Sequence, residues 1–226
     1  MKRLKADLHT HTADDPFDSI AYSAETLIDA AADAGVEVLA ITCHEFNAYS
    51  AHLSHYARGR GVLLIPGMEK FISGKHVLIL NPHEEHLRAH TFEDLRTVGR
   101  LGAVFVAPHP YYPSPNSLLG ELERNIDLFD AIEWSSLYVR MLNPNRRAAG
   151  VARAHRLPLL GTSDTHVLPY EDTTFSWIEA EPAIEGIVEA ILAGRVTVET
   201  QPKKSSKAAR SAFGAVRGMV YEAMRA

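Results

Sequence analysis

Short β-rich apolar runs alternate with helix-patterned stretches almost from one end of the chain to the other. This alternation restricts the fold more than any other feature. Runs at 4–9, 36–42, 62–66, 76–80, 103–107, 131–134, 158–161 and 195–198 read as strands. Between them, 24–34, 92–101, 117–125, 145–155 and 184–193 carry apolar residues at helical spacing. Ser23 and Thr91 predict N-caps, and Gly35 and Gly102 predict C-terminal stops. Strand–helix alternation predicts an α/β protein with a parallel sheet or barrel. At 226 residues the chain can bury one substantial core, and no repeat or biased linker divides it. The expected organisation is one barrel domain over 1–200 and a basic C-terminal helix over 201–226.

Charge is distributed unevenly. The formal net charge is −5, yet residues 201–226 hold Lys203, Lys204, Lys207, Arg210, Arg217 and Arg225 against Glu222 alone. That segment is therefore +5 and the remainder −10. A solvated helix face is the expected reading of the tail, with Phe213, Val216, Val220 and Met224 on its other side. The acidic remainder gives no general case for nucleic-acid binding. No apolar run approaches the roughly 18 residues of a membrane span, and no apolar segment follows the basic N-terminus. The single cysteine, Cys43, excludes an intramolecular disulfide. Together these predict a cytoplasmic protein with no membrane partner.

Residues capable of chemistry cluster at the C-terminal ends of the expected strands. His9 and His11 follow the first, His44 the second and Glu69 the third. His109 follows 103–107, and Asp164 and His166 follow 158–161. In a β/α barrel those ends share one face, where active sites sit. The spacing His9-Thr10-His11 puts two imidazoles on one face of an extended chain, so both can reach one ion. Asp164-Thr165-His166 repeats that geometry. A carboxylate at the position of Glu69 can bridge two ions. His76 opens an apolar strand, and Pro108 and Pro110 restrict the backbone on either side of His109. Nitrogen and oxygen donors suit zinc, iron or manganese.

With these residues in place the sequence resembles the polymerase-and-histidinol-phosphatase (PHP) superfamily of metal-dependent phosphoesterases. The matches are Asp7-Leu8-His9-Thr10-His11-Thr12, Ala40-Ile41-Thr42-Cys43-His44, Pro66-Gly67-Met68-Glu69 and Lys75-His76-Val77-Leu78. Pro108-His109-Pro110, Ala131-Ile132-Glu133 and Gly161-Thr162-Ser163-Asp164-Thr165-His166 continue them in the family's order. The resemblance implies a distorted seven-stranded β/α barrel with a trinuclear site. It maps His9, His11, His44, Glu69, His76, His109, Asp164 and His166 onto the family's ligands. It also implies an early aspartate, for which Asp15 and Asp18 are both candidates; the other is then a turn or cap residue. The family's TDH triplet here reads Thr42-Cys43-His44, so one carboxylate is missing. Cys43 is expected to be a small buried residue, with a soft ligand as the alternative.

Six imidazoles, three carboxylates and three divalent ions would leave about +3, which suits an anionic phosphate ester and an activated hydroxide. The expected function is hydrolysis of a small phosphate ester, a nucleotide or similar, with two to three zinc, manganese or iron ions. Glu69, Asp164 and His166 are the expected catalytic residues. Lys75, Arg140 and Arg146, with Lys70 and Arg147, lie in segments beside the expected mouth and are candidates for holding substrate. The alternatives are an exonuclease on short oligonucleotides, supported by the basic tail, and a non-catalytic metal-binding module.

Overall fold

The computed structural model describes residues 1–203. Of the expected helix over 201–226, residues 201–203 are not helical and 204–226 lie outside the described residues. Nine strands form one sheet: β1 (Lys2–Asp7), β2 (Val38–Ile41), β3 (Leu63–Ile72), β4 (Lys75–Leu80), β5 (Val104–Ala107), β6 (Ala131–Ser135), β7 (Leu159–Thr162), β8 (Thr174–Ala180) and β9 (Val196–Thr200). Their order is β7-β6-β5-β4-β3-β2-β1-β8-β9. The helices are α1 (Ala24–Asp33), α2 (Ala51–Gly59), α3 (Phe92–Val98), α4 (Gly120–Arg124), α5 (Asn145–His155) and α6 (Ile184–Leu192).

The two flanks of this order meet, so the sheet is a nearly closed barrel. On β7, Gly161 N donates to Ser176 Oγ at 2.9 Å, and that hydroxyl donates back to Gly161 O at 3.0 Å. Beyond the strand ends, Asp164 N donates to His9 O and His11 N to Thr165 O. Only glycine fits position 161, because a Cβ there would lie 2.5 Å from Phe175 O.

The α/β barrel is as expected, but its strands are not uniformly parallel. β4 runs antiparallel to both β3 and β5, and β8 runs antiparallel to β1 and β9. β8 was absent from the sequence expectation because its buried face includes Thr174 and Ser176, polar residues that hide the alternation. α2 was absent because only Leu53 and Ala57 of it are buried, too narrow a stripe to register as a period. β3 runs on to Ile72 because Glu69 and Lys70 are buried charges inside a strand rather than the marks of its end.

Ser23 and Thr91 cap α1 and α3 as expected. Ser23 Oγ accepts from Thr26 N, and Thr91 and Asp94 cap each other reciprocally. Gly35, left-handed at φ +77°, follows α1. α3 stops earlier than expected, at Gly99 (φ +72°) rather than Gly102.

Leu4, Ala6, Leu8, Val38, Ala40, Ile65, Leu78 and Val104 fill the barrel interior. Ile187, Val188, Ala190 and Ile191 of α6 join that cluster. β8 ends beside Lys2 at the start of β1, so α6, which follows it, stops the barrel at its N-terminal end. Each fully buried isoleucine there contributes about 1.5–3 kcal/mol. α1 and α2 cover β2 and β3 from outside, and α3, α4 and α5 cover β4 to β6. The opposite end is left to polar residues. Among the described residues no helix is long and apolar enough to cross a membrane.

Candidate metal centre

At the strand C-termini the buried layer changes from aliphatic to imidazole and carboxylate. His9, His11, His44, Glu69, His76, His109 and Asp164 are all buried, with Asp15 and Asp18 packed beside them. Four overlapping sets bring donor atoms within 4.8 Å of one another: His11, Asp15, Asp18 and His44; His9, Glu69 and His109; His9, His11 and Asp164; His44, Glu69 and His76.

Glu69 stands at the centre because β3 changes partner just before it. The strand pairs with β2 through Pro66 and with β4 from Gly67. Gly67 allows the crossing, since a Cβ there would lie 2.8 Å from Thr42 Cγ2. Glu69 N then donates to Thr42 O and Glu69 O accepts from Glu45 N, which sets the side chain beside His44. Its two oxygens face different imidazoles. Oε1 lies 2.7 Å from His76 Nδ1 and 3.1 Å from His109 Nε2. Oε2 lies 3.1, 3.2 and 3.4 Å from the Nε2 atoms of His9, His44 and His11.

The donors fit metal ions better than they fit one another. His9 Nε2 and His11 Nε2 approach to 3.1 Å, although two neutral rings can share one proton at most. His76 Nδ1 is close to Glu69 but misaligned, so neither ring nitrogen of this buried histidine has a hydrogen bond. Burial drives the His76 imidazole down to about 4, against the pull of Glu69, which leaves it neutral at pH 7, the ligating form. Burial opposes ionisation of Glu69, yet His76, His9 and His44 around it hold its carboxyl well below the ordinary range. Burial likewise opposes protonation of His9, while Asp164, Glu69 and Glu133 raise it well above the usual imidazole value.

Both early aspartates belong to the cluster, so neither is merely a turn or cap residue. Asp15 Oδ2 accepts from His44 N and lies 2.9 Å from the Nδ1 atoms of both His11 and His44. Its Oδ1 accepts from Phe17 N and Asp18 N, making the turn that carries Asp18 inward. Asp18 Oδ2 then reaches His166 Nε2 at 2.9 Å. His166 itself is half-buried and stacks on His11 at 4.2 Å. Two of the participating residues have left-handed backbone, His109 at φ +26° and Asp164 at φ +50°. Such strain costs about 1–3 kcal/mol per residue and gathers at functional sites.

Glu133 was not among the expected site residues, although its triplet belongs to the ordered matches. It is fully buried, takes His9 Nδ1 at 3.0 Å on Oε1, and accepts from Thr162 Oγ1 and His109 N. One carboxylate thus orients the His9 imidazole and holds the His109 backbone, and its contact with His9 Nδ1 is the arrangement by which outer carboxylates fix a ligand's tautomer. A lone acid within an apolar strand was the available signal. Counting Glu133 and both aspartates gives five carboxylates, so three divalent ions would leave about +1 rather than +3.

Cys43 points the other way. It packs with Leu39, Ile41 and Leu53 in the outer layer beneath α1 and α2, and Thr12 Oγ1 lies 3.5 Å from its Sγ. Burial pushes its thiol up, away from the thiolate.

None of the candidate substrate cations bonds to the cluster. Lys75 Nζ donates to Pro115 O at 2.6 Å. Arg140 is exposed on the β6–α5 connection and Arg146 in the first turn of α5. Lys70 is buried against Glu45 at 2.7 Å, and Arg147 pairs with Glu123 and lies over Tyr111.

Solved structures share this architecture. A two-domain protein of Bacteroides vulgatus ATCC 8482, described as containing a predicted PHP-like metal-dependent phosphoesterase, superposes with a TM-score of 0.68. Identity is 20%, over 88% of this chain and 65% of that one, so this chain spans about two thirds of its length. The chain has the fold of PHP-like phosphoesterases. PsfC of Pseudomonas syringae PB-5123 matches over the full length of both chains at a TM-score of 0.67 and 19% identity. The lesion-specific endonuclease PfuEndoQ of Pyrococcus furiosus matches at a TM-score of 0.59 and 16% identity, over 87% of this chain and 58% of that one. No family model and no curated protein matches the sequence.

Proposed function

We propose that the protein is a metal-dependent phosphoesterase that hydrolyses a small phosphate ester. The observation that carries this reading is Glu69, whose two carboxylate oxygens face separate groups of imidazoles inside one buried set of donors. In this reading His9, His11, His44, Glu69, His76, His109, Asp164 and His166 hold two to three divalent ions, with Asp15 and Asp18 contributing on the His44 side. Zinc, manganese and iron all accept such nitrogen and oxygen donors. When bound, the ions supply Lewis acidity that lowers the pKa of a coordinated water to about 7 and offsets phosphoryl charge.

The chain's own residues hold and orient the donors. Glu133 holds the ring of His9 and the backbone of His109, while Asp15 holds His11 and His44. Tight seating of this kind keeps the donors in a productive geometry before substrate arrives. Glu69, Asp164 and His166 are the residues we place closest to the reacting phosphate. A nucleic-acid substrate is the second reading, favoured by the likeness to a lesion-specific endonuclease. Turnover of short oligonucleotides that weakens with salt and on deletion of 203–226 would favour it.

Metal analysis of protein purified without chelator, paired with phosphate release from a panel of small esters, tests the main reading. More than one equivalent of metal, and release abolished by chelation and restored by manganese, zinc or iron, is the expected result. Less than one equivalent after supplementation, with no release, refutes it.

A further inference from the structure

Two phenylalanines stand between the buried donors and solvent. Phe17 and Phe71 are both half-buried, whereas His44 and His76 beneath them are almost fully enclosed. Phe71 stacks on His44 at 5.7 Å and 21° and meets His76 edge-on at 4.8 Å. Phe17 lies 5.3 Å from Phe71 and 6.1 Å from His44. Both rings are set by groups already committed to the centre. Asp15 accepts from Phe17 N, and Glu45, next to His44, accepts from Phe71 N at 2.6 Å. The aromatic pair is therefore registered to the donors rather than carried on an independent loop.

We propose that Phe17 and Phe71 form a stacking wall for the leaving group, and that the substrate is a phosphate monoester of an alcohol bearing a planar aromatic ring, as in a nucleotide. This rests on the phosphoesterase reading and narrows it. Aromatic rings pair at centroid separations of about 4.5–7 Å. The wall stands within that range of two cluster imidazoles, so a ring joined to a phosphate through a short ester linkage reaches it. The charges point the same way. Among the described residues no lysine or arginine pairs with a cluster residue; of the two lysines adjacent to one in sequence, Lys70 is consumed by Glu45 and Lys75 donates to Pro115 O. Recognition on the β2–β3 side falls to apolar faces, which favour a flat ring over a tracked polyanion.

The test compares adenosine 5′-monophosphate with ribose 5-phosphate, esters of the same sugar that differ by the base. Metal-loaded wild-type protein should prefer the nucleotide about tenfold or more in kcat/KM, the scale of stacking one base on an aromatic side chain. Phe17→Leu and Phe71→Leu keep apolar bulk and remove the π face. Each should bring the preference towards one through KM, with metal content and ribose 5-phosphate turnover changed less than about threefold. Calorimetric titration with the methylenephosphonate analogue of the nucleotide should show the same loss without turnover. Should Phe71→Leu shed metal, because its ring touches His44 and His76, Phe17→Leu decides alone. Equal losses on both esters, or no preference in the wild type, overturn the stacking wall and leave the phosphoesterase reading standing. Release from neither ester overturns the stacking wall, and the phosphoesterase reading falls with it only if the wider panel of esters is also left intact.

Discussion

Lys70 is among the largest fully buried side chains, and its ammonium pairs with Glu45 at 2.7 Å. The pair ties β3, one residue beyond Glu69, to the loop one residue beyond His44. Its two halves differ in exposure, Lys70 at 1% and Glu45 at 26%. Breaking a buried pair by removing one partner costs about 3–5 kcal/mol, because the other charge is left uncompensated. Glu45→Gln strands a fully buried ammonium and should cost that full range. Lys70→Met strands a carboxylate that still touches water and accepts from Phe71 N, so about 2–3 kcal/mol is expected. The double variant leaves no stranded charge and should cost less than the two singles together by about 2 kcal/mol or more. Urea denaturation of chelator-treated protein measures all four, free of metal linkage. Thermal midpoints should fall by roughly 2–4 °C per kcal/mol for a chain of this size. Additivity within about 0.5 kcal/mol, or a milder effect from Glu45→Gln than from Lys70→Met, would refute this account of the pair.

Other consequences are open to direct measurement. Glu69→Gln keeps the shape of the central side chain but not the charge between two groups of imidazoles, so about one metal equivalent and at least a hundredfold in turnover should be lost; wild-type metal content and rate would sink the bridging role. Cys43→Ser should keep its full metal content while losing about 1 kcal/mol of stability, since the residue packs in an apolar layer; loss of a metal equivalent would make Cys43 a ligand. His86 is buried with Nδ1 accepting from His83 N and Nε2 donating to Gly99 O, and burial lowers its pKa. The unfolded chain therefore binds the proton more readily, so the stability due to this neutral ring is complete above about pH 6.5 and declines as pH falls below it. The stability gap between wild type and His86→Gln should narrow from pH 7.5 to 5.5, and a constant gap would refute the assignment.

Residues that follow apolar runs were legible in the sequence, because strand ends punctuate hydrophobicity and histidines there have few structural duties. His9, His11, His44, His109, Asp164 and His166 converge for that reason. Where polarity enters a strand the same signal misleads. Glu69 and Lys70 read as the end of β3 because their burial depends on partners at His76 and Glu45, contacts no local pattern contains. Ser176 conceals β8 in the same way, since its hydroxyl serves Gly161 on another strand. Asp15 and Asp18 could not be separated by spacing, and the turn shows why. Asp15 folds the backbone with one oxygen and meets imidazoles with the other, so both acids are used. Glu133 escaped because its service is to His9 and His109, residues far from it along the chain.

The seam where Asp164 N meets His9 O also fixes when the centre can exist during synthesis. His9 and His11 leave the ribosome ahead of the Asp164 pair, which follows only after more than 150 further residues. Until then the nascent chain presents imidazoles without the acid that faces them and without the strand that closes the ring. The set of donors therefore closes only once 164–166 have been made, and a product truncated before them holds an open, incomplete set.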